Sequence, residues 1–203
     1  MKRLTLIAIF VFSILNSFSQ DYTKLIPAFS DSYVKEKAQK YAEAAKSIKA
    51  YYDANSYEIN LRLGWLTYLQ GQFSESLGYY NKAIELMPYA IEPRFGVVLP
   101  ASSLGNWDMV VAQYNKILSI DGNNTVALYR MGLISYDKKD YKQAYQFFEK
   151  VVNLYPFDYN SVLMLAWTNY RLGKTREAKV LFNKALLYNP DDASAKEGLG
   201  LIK

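Results

Sequence analysis

The chain has 203 residues, a formal net charge of +5, no cysteine and no histidine. Without cysteine there is no disulfide, thiolate nucleophile or thiolate-ligated metal, and without histidine the commonest general base and zinc ligand are gone. The surplus is aromatic, 19 Tyr, 10 Phe and 3 Trp, and suits packing and binding better than catalysis.

The chain begins with Lys2 and Arg3, an apolar run from Leu4 to Leu15, and small residues at Ser17 and Ser19. Charged start, apolar stretch and small-x-small end are the parts of a secretory signal peptide. A membrane-spanning helix needs ~17–25 apolar residues, which this run does not reach, so residues 1–19 are expected to be cleaved, after Ser19 or Gln20. Retention as an anchor is the competing outcome. No later stretch is apolar for long enough to span a bilayer. Without Lys2 and Arg3, 22 Lys and Arg face 19 Asp and Glu, a net +3, which argues against nucleic acid as a partner. The expected destination is the bacterial periplasm or cell surface.

Residues 20–56 read as an N-terminal lead and cap. The segment 21–30 is expected to be extended. The segment 31–54 is rich in helix formers, with Ser32 as a candidate N-cap and Ala42, Ala45, Ile48 and Tyr52 as a narrow apolar stripe.

A period of 34 residues organises the next part of the chain. Pro88, Pro156 and Pro190 are 68 and 34 apart, and Leu63-Gly64, Met131-Gly132 and Leu165-Ala166 repeat that spacing. Cutting on the period gives four gapless blocks, 57–90, 91–124, 125–158 and 159–192. Tyr80, Tyr114, Phe148 and Phe182 fall in register, as do Ser76, Val110, Ala144 and Ala178. Apolar residues recur every three or four positions, so each block predicts two helices. A glycine at 71, 105 and 173 ends the first helix, Lys139-Asp140 takes that turn in the third block, and a proline near the block's end stops the second helix. Pro100 is expected to kink or shorten its helix. Such hairpins bury their apolar faces only by stacking, which predicts an all-α fold with one continuous core. Residues 193–203 read as a C-terminal capping helix started by Asp191-Asp192, with Leu199-Gly200 in the Leu-Gly register.

These blocks resemble tetratricopeptide repeats, whose framework runs large apolar, Leu-Gly, aromatic, Ala, aromatic, Ala, Pro. The third and fourth blocks match it well; the first departs at Asn60 and Ser76, and the second at Arg94, Val98, Val110, Ile117 and Gly122. The resemblance implies a right-handed α-solenoid with capping helices and, for function, protein or peptide binding without catalysis.

The resemblance puts each block's first helix on the concave face, and helical spacing turns block positions 2, 5, 6, 9 and 13 towards it. Position 5 carries Leu61, Phe95, Tyr129 and Leu163; position 9 carries Trp65, Leu99, Leu133 and Trp167. Eight apolar residues on a face open to solvent mark a contact site, and Trp, Tyr and Arg are common binding hot spots. Arg62, Leu69, Arg130, Met164 and Arg171 complete the candidate set, with Glu58 and Asp137 on a polar rim. The lysine-asparagine-arginine clamp by which some family members hold a peptide's C-terminal carboxylate is matched only by Arg130, its other slots being Leu61, Trp65, Gly96 and Val126. An apolar or aromatic segment is therefore the expected ligand. Three alternatives stand beside it: packing of these residues against neighbouring helices, filling of the groove by the chain's own N-terminus, and self-association.

Asp137 with Asp140, and Asp191 with Asp192, read as solvated or capping carboxylates before paired acids. No metal site or cofactor is expected. The resulting expectation is an exported, non-catalytic adaptor within a cell-envelope assembly, the alternative being a small-ligand binder or hydrolase using Asp, Glu and Tyr of the concave face.

Overall fold

A computed structural model describes residues 22–202, so the expected signal peptide lies outside the described residues. The chain forms two compact units that divide at Pro88 and Tyr89. Eleven helices and no strand occur among the described residues.

The first unit contains α1 (Tyr22–Lys37), α2 (Tyr41–Lys49), α3 (Tyr57–Leu69) and α4 (Phe73–Leu86). The expected extended lead is instead the start of the 16-residue α1. Ser32, expected as an N-cap, lies inside that helix and is fully buried. Helices α1 and α2 form a hairpin of the same kind as the repeats. Gln39 takes the left-handed conformation at φ 59°, as do Gly71, Gly105, Lys139 and Gly173 later in the chain. The bond that closes the turn also recurs: Lys40 N–H donates to Lys35 at 2.9 Å, as Gln72 does to Thr67. The N-terminal region is therefore a degenerate hairpin, not a lead and a single cap. Of the expected stripe, Ala45 and Ile48 are buried, while Ala42 and Tyr52 are exposed. Leu25, Ala44, Ala45 and Ile48 pack with Ile59, Leu63 and Leu66 in one core. Lys49 of α2 and Glu75 of α4 form an ion pair at 2.8 Å, which lowers the Glu75 carboxyl and raises the Lys49 ammonium.

The two departures in the first block have local uses. Ser76 donates its hydroxyl to the Gly64 carbonyl at 2.7 Å, tying α4 to α3. Asn60 donates its amide to the Ser56 and Ala54 carbonyls, bracing the start of α3. Gly64 itself is dictated by packing, since a Cβ there would stand 2.8 Å from the Tyr80 ring.

The second unit contains α5 (Glu92–Ser103), α6 (Trp107–Ile120), α7 (Thr125–Asp137), α8 (Tyr141–Leu154), α9 (Tyr159–Arg171), α10 (Thr175–Tyr188) and α11 (Ala193–Leu201). Helix α5 continues through Pro100 and has 12 residues where α3, α7 and α9 have 13. Asn106, Asn124, Asp140, Asp158 and Asp192 cap their helices by accepting a backbone N–H three residues on. Asp140 and Asp192 are thus capping carboxylates, and Asp191 pairs with Lys196 at 3.1 Å.

The close approach of Gly64 and Tyr80 recurs at Gly132, where a Cβ would stand 2.5 Å from Phe148. At the C-terminal end Gly200 keeps the register of Gly64 and Gly132 but lacks their contact. Gly200 has nothing near it, whereas a Cβ on Gly198 would meet Phe182 at 2.2 Å. Among the described residues α11 has no second helix of its own, so the repeat's glycine position faces solvent. Its contact is made instead by the face turned to α10.

Candidate functional site

In the first unit the inner-face residues are already engaged. The Arg62 guanidinium is buried, donates to Ser32 Oγ at 3.0 and 3.1 Å and forms an ion pair with Glu36. Its flat face lies 3.9 Å from the centre of the Tyr33 ring, a cation–π contact. Trp65 donates its indole N–H to the other Glu36 oxygen at 2.6 Å. All three partners are on α1, so Arg62 and Trp65 join the N-terminal hairpin to the first regular repeat. Leu61 and Leu69 are half-buried, and Trp65 continues into a ring series with Tyr68 and Phe73.

In the second unit the aromatic residues lean on the framework of their own hairpins. Phe95 meets Tyr114 edge-on at 6.3 Å, Tyr129 meets Phe148 at 5.7 Å, and Trp167 meets Phe182 edge-on at 5.0 Å. The Trp167 indole N–H donates to Ser194 Oγ at 2.8 Å. Leu163 and Met164 are half-buried against the α8–α10 cores. Arg171 is exposed and donates to the Tyr136 hydroxyl at 3.4 Å, which raises its already high pKa.

Three candidates remain, and they come together. Leu99, Leu133 and Arg130 border a cavity of 370 Å³ bounded by α5, α6 and α7. Leu99 and Leu133 are half-buried in it, and Val98, Val110 and Ile134 supply further apolar wall. Trp107 is 55% exposed at this site, while Tyr114 is buried, which pushes its phenol pKa up. Arg130 and Asp137 are both exposed, and among the described residues neither has an ion-pair partner. Val98, Trp107, Tyr114 and Ile134 were missed from sequence. The register that places Val98 with Gly64 and Gly132 was the signal that could have found the cavity.

A second cavity of 290 Å³ lies among α8, α9 and α10, beside Tyr145, Asn169, Lys174 and Leu181. The Tyr145 hydroxyl donates to Glu149, whose carboxylate pushes the phenol up to about 12. Lys174 Nζ stands 4.1 Å from the centre of the Tyr145 ring. Among the described residues no group of three or more Asp, Glu, His or Cys is placed to hold a metal ion, and no helix is long and apolar enough to cross a membrane.

Two family models described as tetratricopeptide repeat match the sequence, one over residues 33–91 and one over residues 135–202. A tetratricopeptide repeat protein of Parabacteroides merdae is 22% identical, with a TM-score of 0.74 over 87% of this chain and 71% of the other. YrrB, described as a TPR protein with an unusual peptide-binding site, is 14% identical with a TM-score of 0.69 over 90% of this chain and 99% of its own. The structure of MamA is 18% identical with a TM-score of 0.70 over 86% and 96%. At these identities the likeness shows the fold. Among curated relatives, the TPR repeat-containing protein MJ1428 of Methanocaldococcus jannaschii is 26% identical over 80% of this chain, which spans 32% of that protein's length.

Proposed function

The chain belongs to the tetratricopeptide repeat family, and from that premise we propose that it is an exported, non-catalytic adaptor that binds a protein segment through the unit that begins at Tyr89. The observation that carries this reading is the open cavity at Leu99, Arg130 and Leu133. It joins buried and half-buried apolar walls to two charges that have no ion-pair partner among the described residues, the mixture found at protein-binding surfaces. The corresponding residues of the first unit, Arg62 and Trp65, already have intramolecular partners and serve to hold the N-terminal hairpin. Peptide binding by YrrB, as its description states, is in keeping with this use of the fold.

Export and a place in a cell-envelope assembly rest on the N-terminal sequence: Lys2 and Arg3, the apolar run 4–15, and Ser17 and Ser19. Expression in a Gram-negative host, periplasmic extraction and N-terminal sequencing test this part. A mature protein beginning at Gln20 or Asp21 supports it; the intact N-terminus in the cytoplasm refutes it.

The binding reading is tested by panning a random-peptide display library on the full chain. Selected peptides are then titrated against wild type and Leu99→Gln, with helicity checked by circular dichroism. The expected result is loss of binding by a variant of unchanged helicity. Equal binding by both would remove this face from consideration.

A further inference from the structure

We propose that the cavity beside Val98 accepts one large apolar side chain from an extended peptide, bracketed by oppositely charged residues three positions apart. This rests on the reading that the unit from Tyr89 binds a protein segment, and specifies the chemistry of that segment.

The cavity has a local cause in the sequence. In the first and third regular repeats a glycine lets the second-helix aromatic lie against the first helix: a Cβ would come within 2.8 Å of Tyr80 at Gly64 and within 2.5 Å of Phe148 at Gly132. Val98 occupies the same register position in the second repeat. Its branched side chain fills the space that Tyr114 would need for that approach, and Val98 and Tyr114 instead become two walls of a cavity of 370 Å³. This is at the small end of the ~300–1,000 Å³ usual for ligand sites, suited to one side chain and its flanking backbone. The walls supplied by Val98, Leu99, Val110, Leu133 and Ile134 select for an apolar one.

The charges define the rest of the ligand. Arg130 and Asp137 are seven residues apart on α7, two turns along one face, and both belong to the cavity lining. At 1.5 Å per residue they are separated by ~10 Å along the helix. A peptide in the extended polyproline II conformation has three residues per turn and advances ~3.1 Å per residue, so side chains three positions apart share a face and lie ~9 Å apart, close to that separation. A carboxylate thus meets Arg130, a cation meets Asp137, and the apolar side chain between them faces the cavity. Neither charge has an ion-pair partner among the described residues, so no such pair must break for the peptide to bind.

The test uses acetylated, amidated peptides in which Glu-Phe-Gly-Lys, Glu-Phe-Gly-Glu, Lys-Phe-Gly-Lys or Glu-Ala-Gly-Lys is flanked by glycines. Each is titrated calorimetrically into the full chain as wild type, Arg130→Glu and Val98→Gly. Wild type is expected to bind Glu-Phe-Gly-Lys at least tenfold more tightly than the other three. Arg130→Glu should reverse the preference in favour of Lys-Phe-Gly-Lys, which a general loss of structure would not do. Val98→Gly should weaken all binding while circular dichroism remains helical. If wild type binds library-selected peptides but does not discriminate among these four, the charge-bracket inference falls and the protein-binding reading stands. If no peptide of either set binds, both fall.

Discussion

Trp65 donates its indole N–H to Glu36 at 2.6 Å, and the same carboxylate forms the ion pair of the buried Arg62. One acidic side chain on α1 thus satisfies two residues of α3. Removing it would leave Arg62, whose side chain is 6% exposed, without its counter-charge. Glu36→Ala is expected to cost about 2–3 kcal/mol, less than the ~3–5 of a fully buried pair because Glu36 retains some contact with water. The exposed pair of Lys82 and Glu85 is the control, and Glu85→Ala should cost under ~0.5 kcal/mol. Urea unfolding measures both, and Trp emission should shift to the red in the Glu36 variant alone. Similar losses for the two variants would refute the structural role of Glu36.

Lys139 adopts φ 61° at a turn where the neighbouring repeats use Gly105 and Gly173, at φ 71° and 75°. A left-handed conformation costs a residue with a Cβ ~1 kcal/mol or more, and glycine avoids that strain. Lys139→Gly is therefore expected to gain about 0.5–1 kcal/mol, and Gly105→Ala to lose about 1 kcal/mol. Thermal unfolding checks the pair, and a lower midpoint for Lys139→Gly would contradict the strain argument.

The same turn explains what could be read from the sequence and what could not. Tyr80, Tyr114, Phe148 and Phe182, with the glycine turns at 71, 105 and 173, gave the four hairpins because each position repeats at 34 residues without a gap. The N-terminal hairpin escaped because its turn residue is Gln39 and precedes Gly71 by 32 residues, and because α2 has only 9 residues. The turn hydrogen bond that it shares with the later hairpins reveals it. Among the site residues, periodicity identified the face but not its competition for partners. It could not show that Glu36 reaches Arg62 and Trp65, or that Ser194 reaches Trp167. Arg130, Leu99 and Leu133 remain accessible because the irregular second repeat leaves a gap.

Tyr145 gives a pH signature. Its hydroxyl donates to Glu149, and the phenol is pushed up to about 12, foremost by that hydrogen bond and next by burial. Raised above the ~10 of a free tyrosine, this pKa makes the folded state hold its proton longer than the unfolded chain. The resulting stabilisation is complete below pH ~10 and is lost as pH rises through about 12. A phenolate absorbance titration should show a late step near the upper limit, absent in Tyr145→Phe. Tyr145→Phe should also flatten the fall in stability between these pH values. An unchanged titration curve would show that the hydrogen bond does not persist in solution.

The two glycines of α11 provide the sharpest test of how the repeat ends. Gly200 holds the register of Gly64 and Gly132 but, among the described residues, has no following helix to meet, whereas a Cβ on Gly198 would stand 2.2 Å from Phe182 of the preceding helix. Phe182 is fully buried in the core shared by α9, α10 and α11, so it cannot turn away without disturbing Val162, Ala166 and Ala195. Gly198→Ala is expected to cost about 1–3 kcal/mol through overpacking. Gly200→Ala adds a methyl in open space near the end of a helix, where alanine is favoured over glycine by up to ~1 kcal/mol, so it should be neutral or stabilising. Both substitutions change the same atoms two residues apart on one short helix. Their difference in thermal midpoint therefore isolates the Phe182 contact from helix propensity, and the opposite ranking would refute the close approach of Gly198 to Phe182.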